Sequence, residues 1–591
     1  MNSTLWRKIL LTIATLALWR VACGEGREGE NGGDYHYPIL DVRGLHSASF
    51  GEMRTNHFHS GIDIKTEGVE GKTVVAAADG YVSRLVHSPS GYGLAIYVTH
   101  PHLGTMTVYG HLSRFRPDIA EAVRAERYAT RCNRVDINIA PERFPVRRGE
   151  VIGYSGNSGT SFGPHLHFEL RTADGERTLN VIRQGVCTPK DHIPPQMLVL
   201  DYIDIDTLEG VAVERMRRSF TLTRRGAEYT TDSEVEVGRC GYFVLRCRDR
   251  QNGTWNRYGI YRATVRVEQK TIFEYRMDGF RFADTRACNV VAYYPLQLNA
   301  RCEAIRLSKV AGCPDEYYTA LVAGGTIGAA PNERKNITIE IEDDCGNISS
   351  ARIVARGRGE DIRLPSAEHL RAQNSKVAGI ARITTLACKG GAVGVPATAL
   401  YEPTFCSIIR LNDRCDANDS IEGVEPLSAE YRVLSPTTPL RSSIGVHITA
   451  DIPVAMMRQV CIARRNSKGG WAYEGGHYAA GGGYIAARNA GDMAVVADVA
   501  PPKIEPLFAD CPDTRLHTEI RFRVSDNFSG IDTYSLHIDG EWVAVDFSPV
   551  KGIMAHKFED HSTNGSRRHT AELRITDRCG NTATWRGEFV R

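Results

Sequence analysis

Apolar and polar residues alternate along much of this chain, in short runs closed by Gly or Pro, and this pattern predicts β-strands. In the first third the predicted strands are Val74–Ala78, Gly80–Val86, Leu94–Thr99, Thr105–Tyr109 and His165–Leu170. A helix-compatible pattern occurs at Pro117–Tyr128, where Pro stands at the start. This helix lies in a segment of residues 114–145 that carries Cys132. We expect that segment to form either one wall of a substrate groove or an ordinary surface excursion.

Beyond Pro195 the short β-type runs continue to the end of the chain, and they contain an internal repeat. The turn Asp343-Asp344-Cys345-Gly346-Asn347 recurs as Asp577-Arg578-Cys579-Gly580-Asn581, each time between two predicted strands. Gly-Asn suits the positive φ of a tight hairpin. The run Val244–Asp249 is similarly echoed by Phe522–Asp526. These features favour two immunoglobulin-like sandwiches.

The sequence therefore predicts a mostly β chain, with an N-terminal β-sheet domain followed by two or three β-sandwich domains. The predicted segments are a targeting peptide (1–24), a first domain (25–195), a sandwich (196–358), a β-rich domain (359–499) and a second sandwich (500–591). The first sandwich is enlarged by an insertion with Cys288, Cys302 and Cys313. In the β-rich domain we expect strands at Val393–Leu400, Tyr431–Leu434, Ile444–Ala450 and Gln459–Ile462.

The composition adds little to the predicted fold, whereas the N-terminal residues predict how the chain is targeted. The chain has 591 residues, 42% of them hydrophobic and 24% charged, and its net charge of +2 gives no reason to expect a nucleic-acid partner. Arg7-Lys8 precede an apolar run from Ile9 to Trp19, which is typical of a secretory signal. No later stretch is long and apolar enough to predict a membrane span. Val21-Ala22-Cys23 partly resembles a lipoprotein cleavage box, but Arg20 stands where an apolar residue is expected, so lipidation of Cys23 stays open.

Cysteine usage agrees with export. Of 15 cysteines, 14 remain when Cys23 is set aside, and an even number in an exported protein favours several disulfides. All but Cys132 and Cys187 lie beyond Pro195, so most disulfides are expected there.

The candidate chemistry lies in His-rich motifs. His165 and His167 share one face of a predicted strand, since residues two apart on a strand point the same way. Upstream, His59 and Asp63 are four residues apart across a Gly-containing turn. His59, Asp63 and His167 together supply three protein ligands and leave a fourth position open, which is the arrangement of a catalytic zinc site.

Four sequence blocks, which follow one another in the same order as in that family, resemble the lysostaphin/LytM-type zinc metallopeptidases, which cleave peptide crosslinks in peptidoglycan. The blocks are Phe50–Asp63, Val75–Val82, Tyr109–Ser113 and Gly149–Leu170. The resemblance implies one zinc per chain held by His59, Asp63 and His167, with His111 and His165 as active-site histidines that do not bind the metal. It also implies peptidoglycan peptide stems as the substrate. The secretory signal and the cysteine-rich tail favour the periplasm or outer cell envelope as the setting, with secretion as an open alternative.

The roles of several residues are left open by the sequence. His111 and His165 can share proton transfer and oxyanion stabilisation, in either order. Glu169 is a rival base, but it lies beyond the ligand on the same strand face, which favours a supporting role. We expect His57 to support or pack, and His100 and His102 to lie in a solvated loop.

Two other functions compete with an exported endopeptidase. A relative without activity would bind the wall or activate a partner hydrolase, but such proteins typically lose ligands, and all five candidate residues are present here. The other alternative is an adhesin or glycan binder whose function is defined by the β-rich tail. No regularly spaced aromatic cluster supports this function, so the tail is more simply a spacer or docking module.

Overall fold

The computed structural model describes residues 33–298, 302–359, 375–379, 382–412, 421–508, 513–515, 517–558 and 568–591. The predicted targeting peptide and Cys23 lie outside these residues. The described chain is mostly β, as the alternating pattern predicts. Among the described residues, no helix is long and apolar enough to cross a membrane.

The first sheet is antiparallel and contains the strands that carry the His-rich motifs. Its main path is β1-β4-β12-β8-β7-β6-β10, with β5, β9, β11 and β13 paired at its sides, while β2 and β3 form a separate hairpin. Strand β12 is central, and its apolar side chains Leu166, Phe168 and Leu170 are buried. The bounds are β1 His46–Ala48, β2 Met53–Arg54, β3 His57–Phe58, β4 Ile62–Lys65, β5 Thr73–Val75, β6 Gly80–His87, β7 Leu94–His100, β8 Thr105–Phe115, β9 Val135–Asn138, β10 Pro145–Val146, β11 Val151–Ser155, β12 His165–Thr172 and β13 Arg177–Leu179.

The predicted helix is present as α1, Pro117–Thr130, with Pro117 in its first turn. It ends at Arg131, whose backbone adopts the left-handed conformation common at helix C-termini. Ile119, Ala122 and Val123 are buried, so α1 is amphipathic and rests on the protein with one face.

Residues 196–357 form two sheets. One sheet has the order β15-β14-β19-β23, and the other has the order β16-β17-β26-β25-β20-β21-β24, with β18 paired to β26. The bounds are β14 Gln196–Leu208, β15 Val211–Thr221, β16 Thr223–Arg225, β17 Glu228–Thr230, β18 Val235–Val237, β19 Gly241–Arg248, β20 Arg262–Val267, β21 Lys270–Arg276, β22 Gly279–Arg281, β23 Glu303–Arg306, β24 Tyr318–Leu321, β25 Arg334–Glu342 and β26 Ile348–Gly357. Short helices α2 (Cys288–Val291) and α3 (Tyr294–Gln297) and 3-10 turns at Phe282–Ala287, Asp315–Tyr317 and Ala323–Gly325 complete this part.

Strand β22 joins this part to the first sheet. It pairs with β13, with Thr178 opposite Phe280, so the first sheet continues into chain that lies beyond Pro195. Phe280 is fully buried, and its ring is 5.2 Å from that of Phe58 between centroids. The two parts therefore share both a sheet and apolar packing.

Residues 376–498 form a further β-rich part with its own apolar core, which includes Val393, Tyr431, Val446 and Ile462. The predicted strand Val393–Leu400 ends early, at Val395, because Pro396 has no N–H to donate to a ladder. The bounds are β27 Lys376–Ala378, β28 Thr384–Cys388, β29 Gly391–Val395, β30 Thr404–Cys406, β31 Ile408–Asn412, β32 Val424–Pro426, β33 Glu430–Val433, β34 Ile444–Thr449, β35 Val460–Arg465, β36 Trp471–Gly475, β37 His477–Ala479, β38 Gly482–Ala487 and β39 Gly491–Asp498, with a 3-10 turn at Val454–Met456.

The C-terminal part has two four-stranded sheets, β40-β41-β45-β44 and β43-β42-β46-β47, around a separate core that includes Phe522, Leu536, Leu573 and Phe589. Its strands are β40 Lys503–Pro506, β41 Glu519–Ser525, β42 Ile531–Ile538, β43 Glu541–Val543, β44 Asp546–Ser548, β45 Ile553–Lys557, β46 Arg568–Asp577 and β47 Thr582–Val590. Within the described chain, the twelve cysteines present are unbonded, so the predicted disulfides stay a prediction.

Candidate active site

Three side chains converge at the edge between β4 and β12. Antiparallel pairing sets Asp63 of β4 opposite His167 of β12, and His59 lies in the turn that leads into β4. The Nδ1 atom of His167 is 2.8 Å from Oδ1 of Asp63, and Nε2 of His59 is 3.1 Å from the same oxygen and 3.2 Å from Nδ1 of His167. Ligands about 2.0–2.1 Å from a tetrahedral zinc are roughly 3.3 Å apart, so these atoms fit one zinc ion.

Hydrogen bonds at the far sides of both imidazoles select the tautomer that a metal requires. Nδ1–H of His59 donates to the carbonyl of Ser49 at 2.7 Å, which leaves Nε2 unprotonated at the centre. Nε2–H of His167 donates to Oε1 of Glu169 at 2.8 Å, which leaves Nδ1 for the metal. A carboxylate behind a ligating histidine orients the ring and raises its basicity.

Glu169 is fully buried, and several donors hold it in place. Its Oε1 accepts hydrogen bonds from Tyr92 and Ser60 at 2.5 and 2.6 Å, and Oε2 accepts from Nε of Arg171 at 2.6 Å. Burial opposes ionisation of Glu169, but the nearby Arg171 and His167 outweigh it and hold the pKa of Glu169 far below its usual range. Glu169 therefore remains a carboxylate that supports His167.

The two anions beside His167 also affect its own protonation. Burial disfavours the imidazolium, but hydrogen bonds to Asp63 and Glu169 outweigh that cost and raise the pKa of His167 to about 9 in the metal-free protein. The opposite carboxylate oxygen of Asp63 accepts from Nη2 of Arg54 at 3.2 Å. The centre thus already contains strong polar pairing before a metal is bound.

His111 and His165 lie beside these three residues without joining them. Their ring centroids are 4.7 Å apart, and Nε2 of His165 is 3.6 Å from Oδ1 of Asp63. Nδ1 of His111 is 2.8 Å from the carbonyl of Ser158, and Nδ1 of His165 is 2.8 Å from the carbonyl of Gly163. If Nδ1–H donates in each case, Nε2 of both rings is left to accept or donate a proton.

The backbone at His111 is strained. Its φ is 58°, in the left-handed region that residues other than Gly, Asn and Asp seldom adopt. The backbone N–H donates to the carbonyl of Tyr92 at 2.7 Å, and this bond holds the conformation. Burial, followed by the neighbouring His167 and His165, lowers the pKa of His111 to about 3, so the ring is neutral at physiological pH.

These five residues open into one cleft of about 1070 Å³. Its lining includes three residues that the sequence did not indicate: Arg54, Asn256 and Arg257. Arg54 lies inside the motif block Phe50–Asp63, but nothing in the sequence pointed to residues 256 and 257, which come from the connection between β19 and β20. The ring of Phe162 stands at this cleft and is 88% exposed.

Two histidine expectations have different outcomes. His57 is exposed, with Nδ1 2.9 Å from the carbonyl of Thr55, and it lines the cleft outside the converging set. The expectation for His100 is wrong, because its side chain is fully buried in β7. There Nδ1 is 3.0 Å from the carbonyl of Asp79 and Nε2 is 2.8 Å from Oγ1 of Thr107, so His100 is a core residue with both nitrogens satisfied. His102 is exposed, as expected.

Comparison with known proteins agrees with this geometry. Residues 57–130 match the family model "Peptidase family M23". The "DD-carboxypeptidase/endopeptidase Mpg" of Neisseria meningitidis is 33% identical over 138 residues, which are 23% of this chain and 25% of that protein. An "Uncharacterized metalloprotease" of Haemophilus influenzae is 32% identical over 112 residues, 19% of this chain and 18% of that one. The chain thus spans about a quarter or less of the length of these relatives.

Among solved structures, the catalytic domain of the antimicrobial peptidase lysostaphin from Staphylococcus simulans is 21% identical. The match covers 23% of this chain and 86% of that one, with a TM-score of 0.16.

Proposed function

The chain carries a domain of peptidase family M23, and from this premise we propose that it is an exported zinc metallopeptidase that hydrolyses peptide crosslinks of peptidoglycan. The observation that carries the proposal is the convergence of His59, Asp63 and His167, with ligand atoms 2.8–3.2 Å apart. The Neisseria relative is named a DD-carboxypeptidase/endopeptidase, which supports the same reaction class.

His59, Asp63 and His167 would hold the ion through Nε2, one carboxylate oxygen and Nδ1, with the fourth position open to the cleft. Zinc bound there supplies a Lewis acid, which lowers the pKa of water and polarises a carbonyl. Ser49 and Glu169 keep both imidazoles in the ligating tautomer, and Arg54 holds the second oxygen of Asp63. These contacts preorganise the site, so little reorganisation is needed when a substrate binds.

His165 and His111 would divide the proton and charge chemistry between them. One accepts the proton of the attacking water and returns it to the leaving amine, and the other donates a hydrogen bond to the oxyanion. Both rings are held through Nδ1 by backbone carbonyls, which directs Nε2 of each away from its anchor. The neutral state of His111 at physiological pH leaves its Nε2 able to accept a proton, and Nε2 can donate to the oxyanion only after it has done so.

The shape of the cleft supports a peptide substrate. Its volume of about 1070 Å³ accommodates several residues of a crosslinked stem. Phe162 offers an exposed ring for contact with aliphatic parts of a stem, and Arg257 lines the same cleft. Through Asn256 and Arg257, the part of the chain beyond Pro195 would take part in substrate binding as well.

The test is digestion of purified sacculi by zinc-loaded full-length protein, with soluble fragments identified by mass spectrometry. We expect released stem peptides with free ends at the former crosslinks, and none after chelation or with His167→Ala. His102→Ala is the matched control, because this histidine is exposed and lies outside the cleft.

Two results would contradict the proposal. Rapid hydrolysis of casein with intact sacculi would assign a general protease. Co-sedimentation with sacculi without any release, by protein that holds stoichiometric zinc, would favour a wall-binding protein or an activator of another hydrolase.

A further inference from the structure

Both copies of the repeated Asp-x-Cys-Gly-Asn turn lie beside two further aspartates. In the first copy, Asp343 meets Asp191 and Asp249, and each residue offers one carboxylate oxygen within 4.8 Å of the other two. In the second copy, Asp577 meets Asp498 and Asp526 in the same way. We name these groups the first and the second aspartate triad. Both are distinct from the histidine-containing centre.

The triads occupy equivalent positions in the two repeats. Asp191 and Asp498 each stand three residues before a Pro-Pro pair, at the start of the sandwich that follows. Asp249 and Asp526 each follow directly after a strand, β19 or β41. The third aspartate of each triad stands at the end of the motif strand: Asp343 follows directly after β25, and Asp577 is the last residue of β46. Three chain segments far apart in sequence therefore meet twice with the same residue type.

The hydrogen bonds repeat as well. Nδ2 of Asn347 is 2.8 Å from Oδ2 of Asp343 and 3.3 Å from the carbonyl of Asp191. Nδ2 of Asn581 is likewise 2.8 Å from Oδ2 of Asp577 and 2.7 Å from the carbonyl of Asp498. These asparagines fix the turn against the linker, and they leave other carboxylate oxygens uncommitted.

Buried carboxylate oxygens without a partner point to a ligand. Asp249 is 4% exposed and Asp498 is fully buried, yet Oδ1 of each accepts no hydrogen bond within the described part of the chain. In the second triad, Oδ1 of Asp526 and Oγ of Ser529 are also unpartnered there. Leaving a buried charged oxygen unpaired costs several kcal/mol, by an order-of-magnitude estimate.

No basic side chain compensates for this charge. Among the described residues, none of the six aspartates forms an ion pair with Lys, Arg or His. Without a cation, each triad therefore packs three carboxyl groups at close range, with no positively charged partner within the described chain.

We propose that each aspartate triad binds one calcium ion. The donors are all oxygens, which hard cations prefer, whereas zinc selects nitrogen and sulfur. Calcium accepts irregular arrangements of carboxylates and carbonyls, while magnesium demands octahedral geometry and keeps its waters, which suits a buried triad less well. Each ion would join the linker before a sandwich to two of that sandwich's loops. In the second triad, Asp498 ends β39, so the ion would bridge two β-rich parts.

The test is calcium binding by full-length protein that has been dialysed against EGTA and given one equivalent of zinc. Equilibrium dialysis against 1 mM ⁴⁵Ca²⁺ with 10 mM Mg²⁺ should give two calcium ions per chain. Asp249→Asn and Asp526→Asn should each remove one ion, and the double variant should remove both. Asp532→Asn, an exposed aspartate on β42 outside the triad, is the matched control and should keep two.

Thermal melts separate a cation site from a purely structural role. Calcium at about 100 times its Kd should raise the midpoint of the wild-type melt by on the order of 5 °C. Asp249→Asn should lose the calcium response attributable to its site. Without calcium it should melt no lower than wild type, because the amide replaces a buried carboxyl group whose Oδ1 accepts no hydrogen bond within the described chain. Absence of binding at 1 mM calcium, full displacement by magnesium, or two ions retained by the double variant would overturn the proposal. An equal loss of stability for Asp249→Asn with and without calcium would also overturn it at the first triad.

Discussion

His165 and His167 are two residues apart on β12, and the structure gives them different surroundings. His167 belongs to the converging set, whereas Nδ1 of His165 is bound to a backbone carbonyl and its Nε2 stays 3.6 Å from Asp63. We expect His167→Ala to lose both zinc and activity. His165→Ala should retain about one zinc per chain, while wall hydrolysis falls about 10²–10⁴-fold through the loss of acid–base catalysis.

Zinc content by elemental analysis, measured beside the hydrolysis rate and circular dichroism, checks this assignment. His111 needs a different substitution, since its φ of 58° makes alanine costly. Asn tolerates that backbone conformation, so His111→Asn should keep zinc and lose activity as His165→Ala does. Zinc lost from His165→Ala but kept by His167→Ala would reverse the roles.

Glu169 supports the metal through His167, so its charge should affect metal affinity. Glu169→Gln keeps the shape and can still accept the Nε2–H of His167, but it removes the anion that makes the ring more basic. We expect zinc affinity to fall about 10–100-fold, the range seen for such supporting carboxylates. Competition with a chromophoric chelator measures this affinity, and a thermal melt shows whether the variant is folded. Unchanged affinity in a folded variant would mean that Glu169 serves only packing.

Zinc binding should depend on pH through His167. Its pKa in the metal-free protein is raised from 6.5 to about 9. The protonated ring therefore stabilises the metal-free fold fully below about pH 6.5, and this contribution is lost as the pH rises through 9. Zinc must displace that proton below pH 9, so the apparent affinity should rise about tenfold per pH unit between pH 7 and 9. Chelator competition at several pH values tests this, and a constant affinity across the range would contradict it.

At the scale of the elements, alternation and turn residues predicted much of the first sheet. The predicted strand at His165–Leu170 and the helix at Pro117–Tyr128 are confirmed with small changes of bounds, because their patterns are local. The structure also brings His59, Asp63 and His167 together, and their motifs are short, but their role as metal ligands stays a prediction. Arg257 and β22 could not be predicted, since their places depend on packing between segments more than 90 residues apart in the chain.

Disulfide pairing likewise depends on distant segments, and one pair is now indicated. Cys461 of β35 and Cys579 of the turn after β46 are buried in the same small apolar cluster. We expect them to form a disulfide in the exported protein, where oxidising conditions favour it. Such a bond would link the β-rich part to the C-terminal part and should contribute about 2–4 kcal/mol to the free energy of unfolding.

Peptide mapping under non-reducing conditions tests this pair. A crosslinked peptide that contains both residues is the expected result, and Cys461→Ala should release Cys579 as a free thiol. Recovery of both residues alkylated from unreduced, denatured protein would rule the bond out. Val496→Ala, in the same cluster, controls for loss of packing alone.

At the scale of the whole molecule, the C-terminal part contacts the segment of residues 114–145. The segment of residues 114–145 does not contribute to the lining of the cleft. It contacts the C-terminal part instead: Nη1 of Arg127 donates to Oδ1 of Asp546 at 2.9 Å, and Nη2 donates to the carbonyl of Val545 at 3.0 Å. Asn133 adds a bond from Nδ2 to the carbonyl of Tyr534 at 3.2 Å. The described residues from His36 to Arg591 accordingly form one compact unit.

This contact should be weakened by a single substitution in α1. Arg127 is 5% exposed, and Arg127→Met keeps much of its volume while leaving the carbonyl of Val545 without that donor. Asp546 keeps His87 and Lys557 as neighbours, at 3.1 and 3.7 Å, so the expected cost is that of the lost hydrogen bonds, about 1–3 kcal/mol. If this cost appears as local opening, hydrogen exchange around residues 534–547 should become about 5–150-fold faster.

Arg124→Met is the control, because Arg124 pairs with Glu121 on the exposed face of the same helix, where a pair contributes about 0.5 kcal/mol or less. Equal exchange in both variants would show that α1 and the C-terminal part do not hold each other in solution, whereas faster exchange confined to Arg127→Met would show that the contact is present in solution.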